Sequence, residues 1–211
     1  MVQTPEWVAN FERCKANWHT DDPDSTQPCC YLATVDDEGK ARVRVVGLAS
    51  LSYQSQYSFW TVLIGTDARS PKCDQIRGHP EVEIATWFPR DREQFRISGK
   101  AFIVDKDTSD AVWLNERRKI FDSLKEIRKE HYGRADAPGT PVGHHSALPD
   151  EDDPNSILKA EMAALNHYAL IVLRVESCDW TAQIQDLRKR YNFLPEADED
   201  EEQWEVEDLR I

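Results

Sequence analysis

The sequence predicts a mainly β fold with flanking helices, in which an antiparallel barrel or strongly curled sheet carries the core. Three observations lead there. Five strand-like stretches follow one another between residues 30 and 104 with hairpin spacing and a single short helical stretch among them. The long alternating helices that a doubly wound parallel sheet requires are absent. Finally, 211 residues with 31% charged and 40% hydrophobic side chains suffice for one domain with a real core. That domain is expected over residues 1–195, with a surface excursion at about 133–157 and an acidic tail over 196–211.

Taken in order, Trp7, Val8, Phe11, Cys14 and Trp18 recur every three to four residues and predict an amphipathic helix over 5–18 that packs across a sheet. Residues 21–28 are polar and turn-rich. Cys30 to Val35, the turn Asp36-Asp37-Glu38-Gly39, and Ala41 to Leu51 read as a β-hairpin. Tyr57 to Ile64 is more continuously apolar and so a more central strand. A short capped helix follows, then strands Val82 to Phe88 and Gln94 to Val104 joined by the turn Pro89-Arg90-Asp91-Arg92. From Thr108 to about His131 the period becomes helical. A short helix near 157–165, a strand over Tyr168 to Val175 and a last strand over Trp180 to Ile184 complete the expectation.

Composition excludes several classes of function. The formal net charge of −13 opposes a nucleic-acid surface, although much of the acid lies in Asp150-Glu151-Asp152-Asp153 and between Glu196 and Asp208, both read as solvated or disordered. No run approaches the ~18 apolar residues of a membrane span. Met1 to Phe11 lack the basic and apolar regions of a signal peptide, so a cytoplasmic location is expected. Five cysteines without C-x-x-C spacing indicate neither disulfides nor zinc, and inert thiols are expected. At most one of Cys29 and Cys30 faces any pocket, because neighbours on a strand point to opposite sides. His144-His145 lack a third ligand at defined spacing, so no metal is assigned.

Candidate chemistry concentrates at Thr66-Asp67-Ala68-Arg69-Ser70-Pro71-Lys72. Ser70 suits an N-cap and Pro71 the first helical position. Arg69 and Lys72 then stand at the positive end of a helix, where an anion reverses an otherwise unfavourable arrangement. The stretch reads either as a phosphate seat or as an ordinary capped helix with two solvated cations. On an earlier strand Arg42 and Arg44 share one face, and one of them suits a second arm of a phosphate clamp. Gln94, Arg96 and Ser98 share a face as well, and a glutamine there offers donor and acceptor together to a planar heterocycle. Trp87 supplies a flat apolar wall, or plain packing.

The order of Arg44-Val45-Val46, Thr66 to Lys72, Ala85-Thr86-Trp87-Phe88 and Glu93-Gln94-Phe95-Arg96-Ile97-Ser98-Gly99 resembles the FMN-binding split barrel of the pyridoxamine 5′-phosphate oxidase family, over roughly residues 27–105. The resemblance implies a six- to seven-stranded antiparallel split β-barrel with FMN as cofactor and a flavin site built between two subunits of a homodimer. Roles in binding the flavin phosphate and ribityl chain carry to Arg44, with Val45 beside it, and to Thr66, Ser70 and Lys72, while Gln94 takes the ring. Arg69 is a neighbouring cation that this sequence adds. The family's terminal arginines suggest Arg188 and Arg190 as further pocket residues, although Asp186-Leu187-Arg188-Lys189-Arg190 is a loose counterpart of the R-L-H-D-R signature.

Other positions depart from the vitamin B6 enzymes. Ala49 stands where their substrate-binding lysine would, and Pro71 replaces a basic residue. The resemblance therefore implies an FMN-dependent oxidoreductase acting on a small molecule or electron donor other than a B6 vitamer, with no catalytic acid or base assigned. A non-catalytic module that stores FMN or holds haem is the alternative.

Overall fold

A computed structural model describes residues 4–18, 28–140, 154–194 and 203–210. The first strands are β1 (Cys29–Val35), β2 (Ala41–Gln54) and β3 (Phe59–Asp67), followed by β4 (Glu81–Phe88) and β5 (Glu93–Val104). Later come β6 (Tyr168–Ala182), β7 (Leu187–Phe193) and β8 (Trp204–Leu209). They form one antiparallel sheet in the order β3-β2-β1-β4-β5-β6-β7-β8. A further pairing of β3 with β6 closes the first six into a barrel and leaves β7 and β8 as an extension.

Strand β6 makes this possible by its length. Residues 168–174 pair with β3 and 177–182 with β7, while β5 runs along almost the whole strand. The two strands expected at 168–175 and 180–184 are thus one. Its run from Tyr168 to Leu173 is buried on both faces. Leu173 and Ile171 point into the barrel with Leu32, Ile64, Ile84 and Ile97. Leu170 and Val172 point outward, onto Trp113 and Phe121 of α3 (Ala111–Asp122). Burial on both sides explains why the run lacks polar alternation.

Helix α1 (Glu6–Ala16) turns Trp7, Val8, Phe11 and Cys14 toward the barrel, as its spacing predicts. Phe11 meets Phe88 and Phe95 edge-on at 5.6 and 5.2 Å. The helix is pinned by Glu93, 1% exposed, which accepts hydrogen bonds from Arg13, from the Cys14 thiol and from Trp180 Nε1 at 2.8 Å. The helical region after Thr108 is broken into α3 and α4 (Glu126–Gly133), and α5 is Pro154–His167. Buried Arg117 on α3 donates to the carbonyls of Leu165 and Tyr168, so the C-terminal end of α5 supplies the negative partner for its charge.

Between Ser98 and Gly99 the β5–β6 register shifts by a bulge. Gly99 has φ 158°, and a Cβ there would lie 2.0 Å from the Arg174 carbonyl oxygen. Only glycine allows the two backbones to approach this closely.

Strands β7 and β8 were not expected, and β8 enters a stretch read as an acidic tail. Trp204 explains it: the indole is 6% exposed and packs on Trp7 and Phe193 at 5.9 and 5.3 Å, while Glu205, Glu207 and Asp208 stay exposed. His144-His145 and the acidic run at 150–153 lie outside the described residues. No described helix is long and apolar enough to cross a membrane.

Candidate functional site

Helix α2 (Pro71–Gly78) starts with Pro71 at its first position and Ser70 as N-cap, yet the Ser70 hydroxyl makes no capping bond. It accepts a hydrogen bond from Lys72 Nζ, which also donates to Thr66 Oγ1 at 3.1 Å. Thr66 and Ser70 are both buried. Lys72 has no carboxylate partner among the described residues. Burial, with the charge of Arg44 nearby, holds its ammonium below the usual lysine range. A half-buried cation served only by hydroxyls at a helix N-terminus is an arrangement that an anion completes.

Arg44 forms the second arm. It projects from β2 on the same face as Thr34 and Leu32 of β1, and donates to Thr34 Oγ1 at 2.7 Å, to Leu32 O at 3.1 Å and to Gln75 Oε1 at 2.7 Å. All these acceptors are neutral. Gln75 also accepts from Thr34 at 2.7 Å, and so ties α2 to β1 and β2. Sequence reasoning missed Gln75 and Thr34. Gln75 lies one helical turn after Lys72, a spacing that places the two on one helix face.

Arg69 is engaged elsewhere. Its guanidinium pairs with the buried carboxylate of Asp67 and reaches the carbonyls of Arg134 and Ala135. The anion-ready set is therefore Arg44, Thr66, Ser70 and Lys72.

Val45 and Gln94 sit apart from that set. Val45, 58% exposed, points away from Arg44 onto the outer face of the sheet. There it pairs across from Tyr31, which pairs in turn with Ala85. Gln94 and Trp87, paired with each other, continue the same face. Tyr31, Val43, Val45 and Trp87 give this face a contiguous exposed apolar surface. The structure thus brings the phosphate-type residues together at one place and leaves the ring-type residue on another.

Arg188 and Arg190 also lie on the outer face, and both donate to Asp179, 8% exposed. Arg96 stands near the same carboxylate and pairs with Glu83 through two bonds of 2.8 and 3.0 Å. Hydrogen bonding by Arg190 above all holds the Asp179 carboxyl below the usual range. Such a carboxyl contributes stability above its unfolded pKa, about 3.9, and loses it as pH falls through the lower folded value. Asp179→Asn is expected to cost roughly 2 kcal/mol at neutral pH and progressively less below about pH 4. Urea denaturation across that pH range checks this, and a cost that does not change with pH would count against it.

Four of the five thiols are buried. Burial pushes Cys14 and Cys30 up to about 12 and Cys73 up to about 11, and Cys178 also lies well above its ordinary value. Of the adjacent pair, Cys30 is buried and Cys29 exposed. Among the described residues no cluster of His, Cys, Asp or Glu is able to hold a metal.

Comparison with known proteins bears on the fold and the family. Residues 4–105 match the family described as pyridoxamine 5′-phosphate oxidase, FMN-binding domain. Over that first half the chain resembles the pyridoxamine 5′-phosphate oxidase-like family. Pyridoxine/pyridoxamine 5′-phosphate oxidase 2 of Arabidopsis thaliana is 26% identical over 171 residues, covering 81% of this chain and 79% of the plant protein. The pyridoxine/pyridoxamine 5′-phosphate oxidase of Pseudomonas syringae pv. tomato is 32% identical over 94 residues, 44% of this chain and 41% of its own. Among solved structures, a pyridoxamine 5′-phosphate oxidase-related, FMN-binding protein of Nostoc punctiforme superposes with a TM-score of 0.74 at 22% identity, covering 99% of this chain and 98% of that one. This last likeness concerns the fold of the family, which the barrel shares.

Proposed function

We propose that this protein binds FMN and acts as a flavin-dependent oxidoreductase on a small molecule. The observation that carries the reading is the pair Arg44 and Lys72, two cations whose side-chain partners are neutral oxygens, at the entrance of a helix whose N-cap hydroxyl is left for a ligand. These residues fit a phosphate monoester. Arg44 and Lys72 neutralise it, Thr66 and Ser70 donate hydroxyls, and the first N–H groups of α2 point at it. Bound FMN supplies hydride acceptance and reoxidation, which no side chain here provides. The chain's own part is to anchor the phosphate and, through Gln94, to orient and hydrogen-bond the ring.

Gln94 lies on the exposed apolar face, apart from the phosphate cluster, so the reading includes a homodimer in which the faces of two copies meet and each contributes part of a flavin site. Exposed Tyr31, Val43, Val45 and Trp87 support this, since contiguous apolar surface on a soluble domain marks an interaction site. Val45→Glu is expected to shift the protein to monomer in light scattering and to release flavin. A monomeric wild-type protein would remove this part of the reading.

The substrate is a small molecule other than pyridoxamine 5′-phosphate. Ala49 replaces the substrate lysine of the B6 enzymes, and Arg188 and Arg190 are occupied by Asp179. The visible spectrum of the purified protein tests the cofactor. A yellow, releasable FMN supports the reading, whereas a colourless protein that FMN does not protect from heat would sink it. Lys72→Ala is expected to weaken FMN about 10- to 100-fold while changing riboflavin affinity little. Anaerobic reduction by NADPH and by a panel of small donors then separates an enzyme from a carrier.

A further inference from the structure

Arg69 was expected beside the flavin phosphate, and its contacts give it a different task. Asp67, 6% exposed, uses both carboxylate oxygens on this one residue. Oδ1 accepts from the Arg69 backbone N–H at 2.9 Å and from Nε at 3.0 Å, and Oδ2 accepts from Nη2 at 2.7 Å. Nη1 donates to the carbonyls of Arg134 at 3.1 Å and Ala135 at 2.9 Å, just beyond the end of α4. Four of the five guanidinium N–H donors are therefore taken, and the Asp67 charge cancels that of Arg69. The positive charge left at the helix entrance belongs to Lys72 and Arg44.

The same turn is held from two other directions. The Ala68 N–H donates to the carbonyl of His167 at the end of α5, at 2.7 Å. The His167 ring nitrogen lies 2.8 Å from the carbonyl of Tyr132 on α4. The ends of α4 and α5 and the 66–72 turn thus converge, and the Arg69 side chain joins the turn directly to the chain leaving α4.

We propose that Arg69 is a positioning residue, which locks the 66–72 turn through Asp67 and straps the chain leaving α4 onto that turn, so that anion binding at Lys72 and the order of α4 are coupled. The coupling rests on the flavin reading above; the strap does not. A direct ligand acts through its charge. A strap acts through the fork geometry that lets one side chain bridge a carboxylate and two carbonyls.

The test combines FMN titrations over a range of ionic strength with hydrogen exchange of the full chain, with and without FMN. Arg69→Ala and Asp67→Asn should each weaken FMN about three- to tenfold, and the double variant should be no weaker than either single one. Arg69→Ala should keep the wild-type salt dependence, which Lys72→Ala flattens. Arg69→Lys, which keeps the charge and loses the fork, should not restore affinity. Amides of α4 and of residues 134–135 should exchange at least about tenfold faster in Arg69→Ala before any FMN is added, and FMN should slow them in the wild type.

Three results would overturn the proposal: rescue of affinity by Arg69→Lys with a flattened salt dependence in Arg69→Ala, tighter FMN binding in Asp67→Asn, or unchanged exchange of α4 in Arg69→Ala. If the wild type does not bind FMN, the flavin reading fails and the exchange of the FMN-free proteins alone decides the strap.

Discussion

Gly99→Ala is expected to cost at least about 4 kcal/mol and to lower the thermal midpoint by roughly 8–16 °C, or to prevent folding outright. The reason is backbone geometry. An added Cβ would stand 2.0 Å from the Arg174 carbonyl oxygen and 2.9 Å from the Glu176 nitrogen, and neither atom belongs to a side chain able to swing aside. Relief requires the β5–β6 pairing to open at its bulge, which disturbs the strand that closes the barrel. Alanine at Gly39 is the control, because nothing lies within 4 Å of a Cβ there although its φ of 75° is also positive. Circular dichroism melts of both variants decide the point. A Gly99→Ala protein that melts within a few degrees of wild type would show that the bulge is softer than its geometry indicates.

Glu93→Ala should follow closely, at about 3–5 kcal/mol. The carboxylate is almost fully buried and takes three donors from two elements, α1 and β6, so its removal leaves Trp180 Nε1 and the Cys14 thiol without their acceptor and Arg13 with Asp91 and Asn10. Glu93→Gln keeps an acceptor for the indole and is expected to recover part of the loss. Chemical denaturation measures both, and enhanced proteolysis near α1 would locate the damage. Equal stability of Glu93→Ala and wild type would mean that the other contacts of α1, including those of Trp7, Phe11 and Glu6, hold it without this carboxylate.

The barrel was legible in the sequence where one physical constraint dominated. The double burial of Tyr168 to Leu173, the turn of Asp36 to Gly39 and the Pro71 helix entrance each left a local signature. Glu93 left none, because beside Asp91 and Arg92 it reads as one more polar turn residue, and its partner Arg13 lies 80 positions upstream. Strand β8 was hidden by its charge, since a single buried indole anchors a stretch whose other side chains are mostly acidic. Residue type and order singled out Arg44, Thr66, Ser70 and Lys72, and the fold gathers these four side chains around the start of α2. The ion pair of Arg69 with Asp67 was not anticipated, because the arginine's charge was counted without that of Asp67 two residues earlier, where a tight turn lets the pair meet.

The closure of the barrel by β6 has a consequence for how the chain is made. Thr61 pairs with Arg174 and Asp67 with Tyr168, so the contacts that seal the barrel join residues separated by about half of the sequence. Until β6 leaves the ribosome, β3 and β5 are open edges, and only the local hairpins of the first strands have partners. Substitutions in β6 should therefore reduce the yield of folded protein during synthesis more than the measured equilibrium stability alone accounts for, because they prolong the interval in which two unpaired edges face other nascent chains.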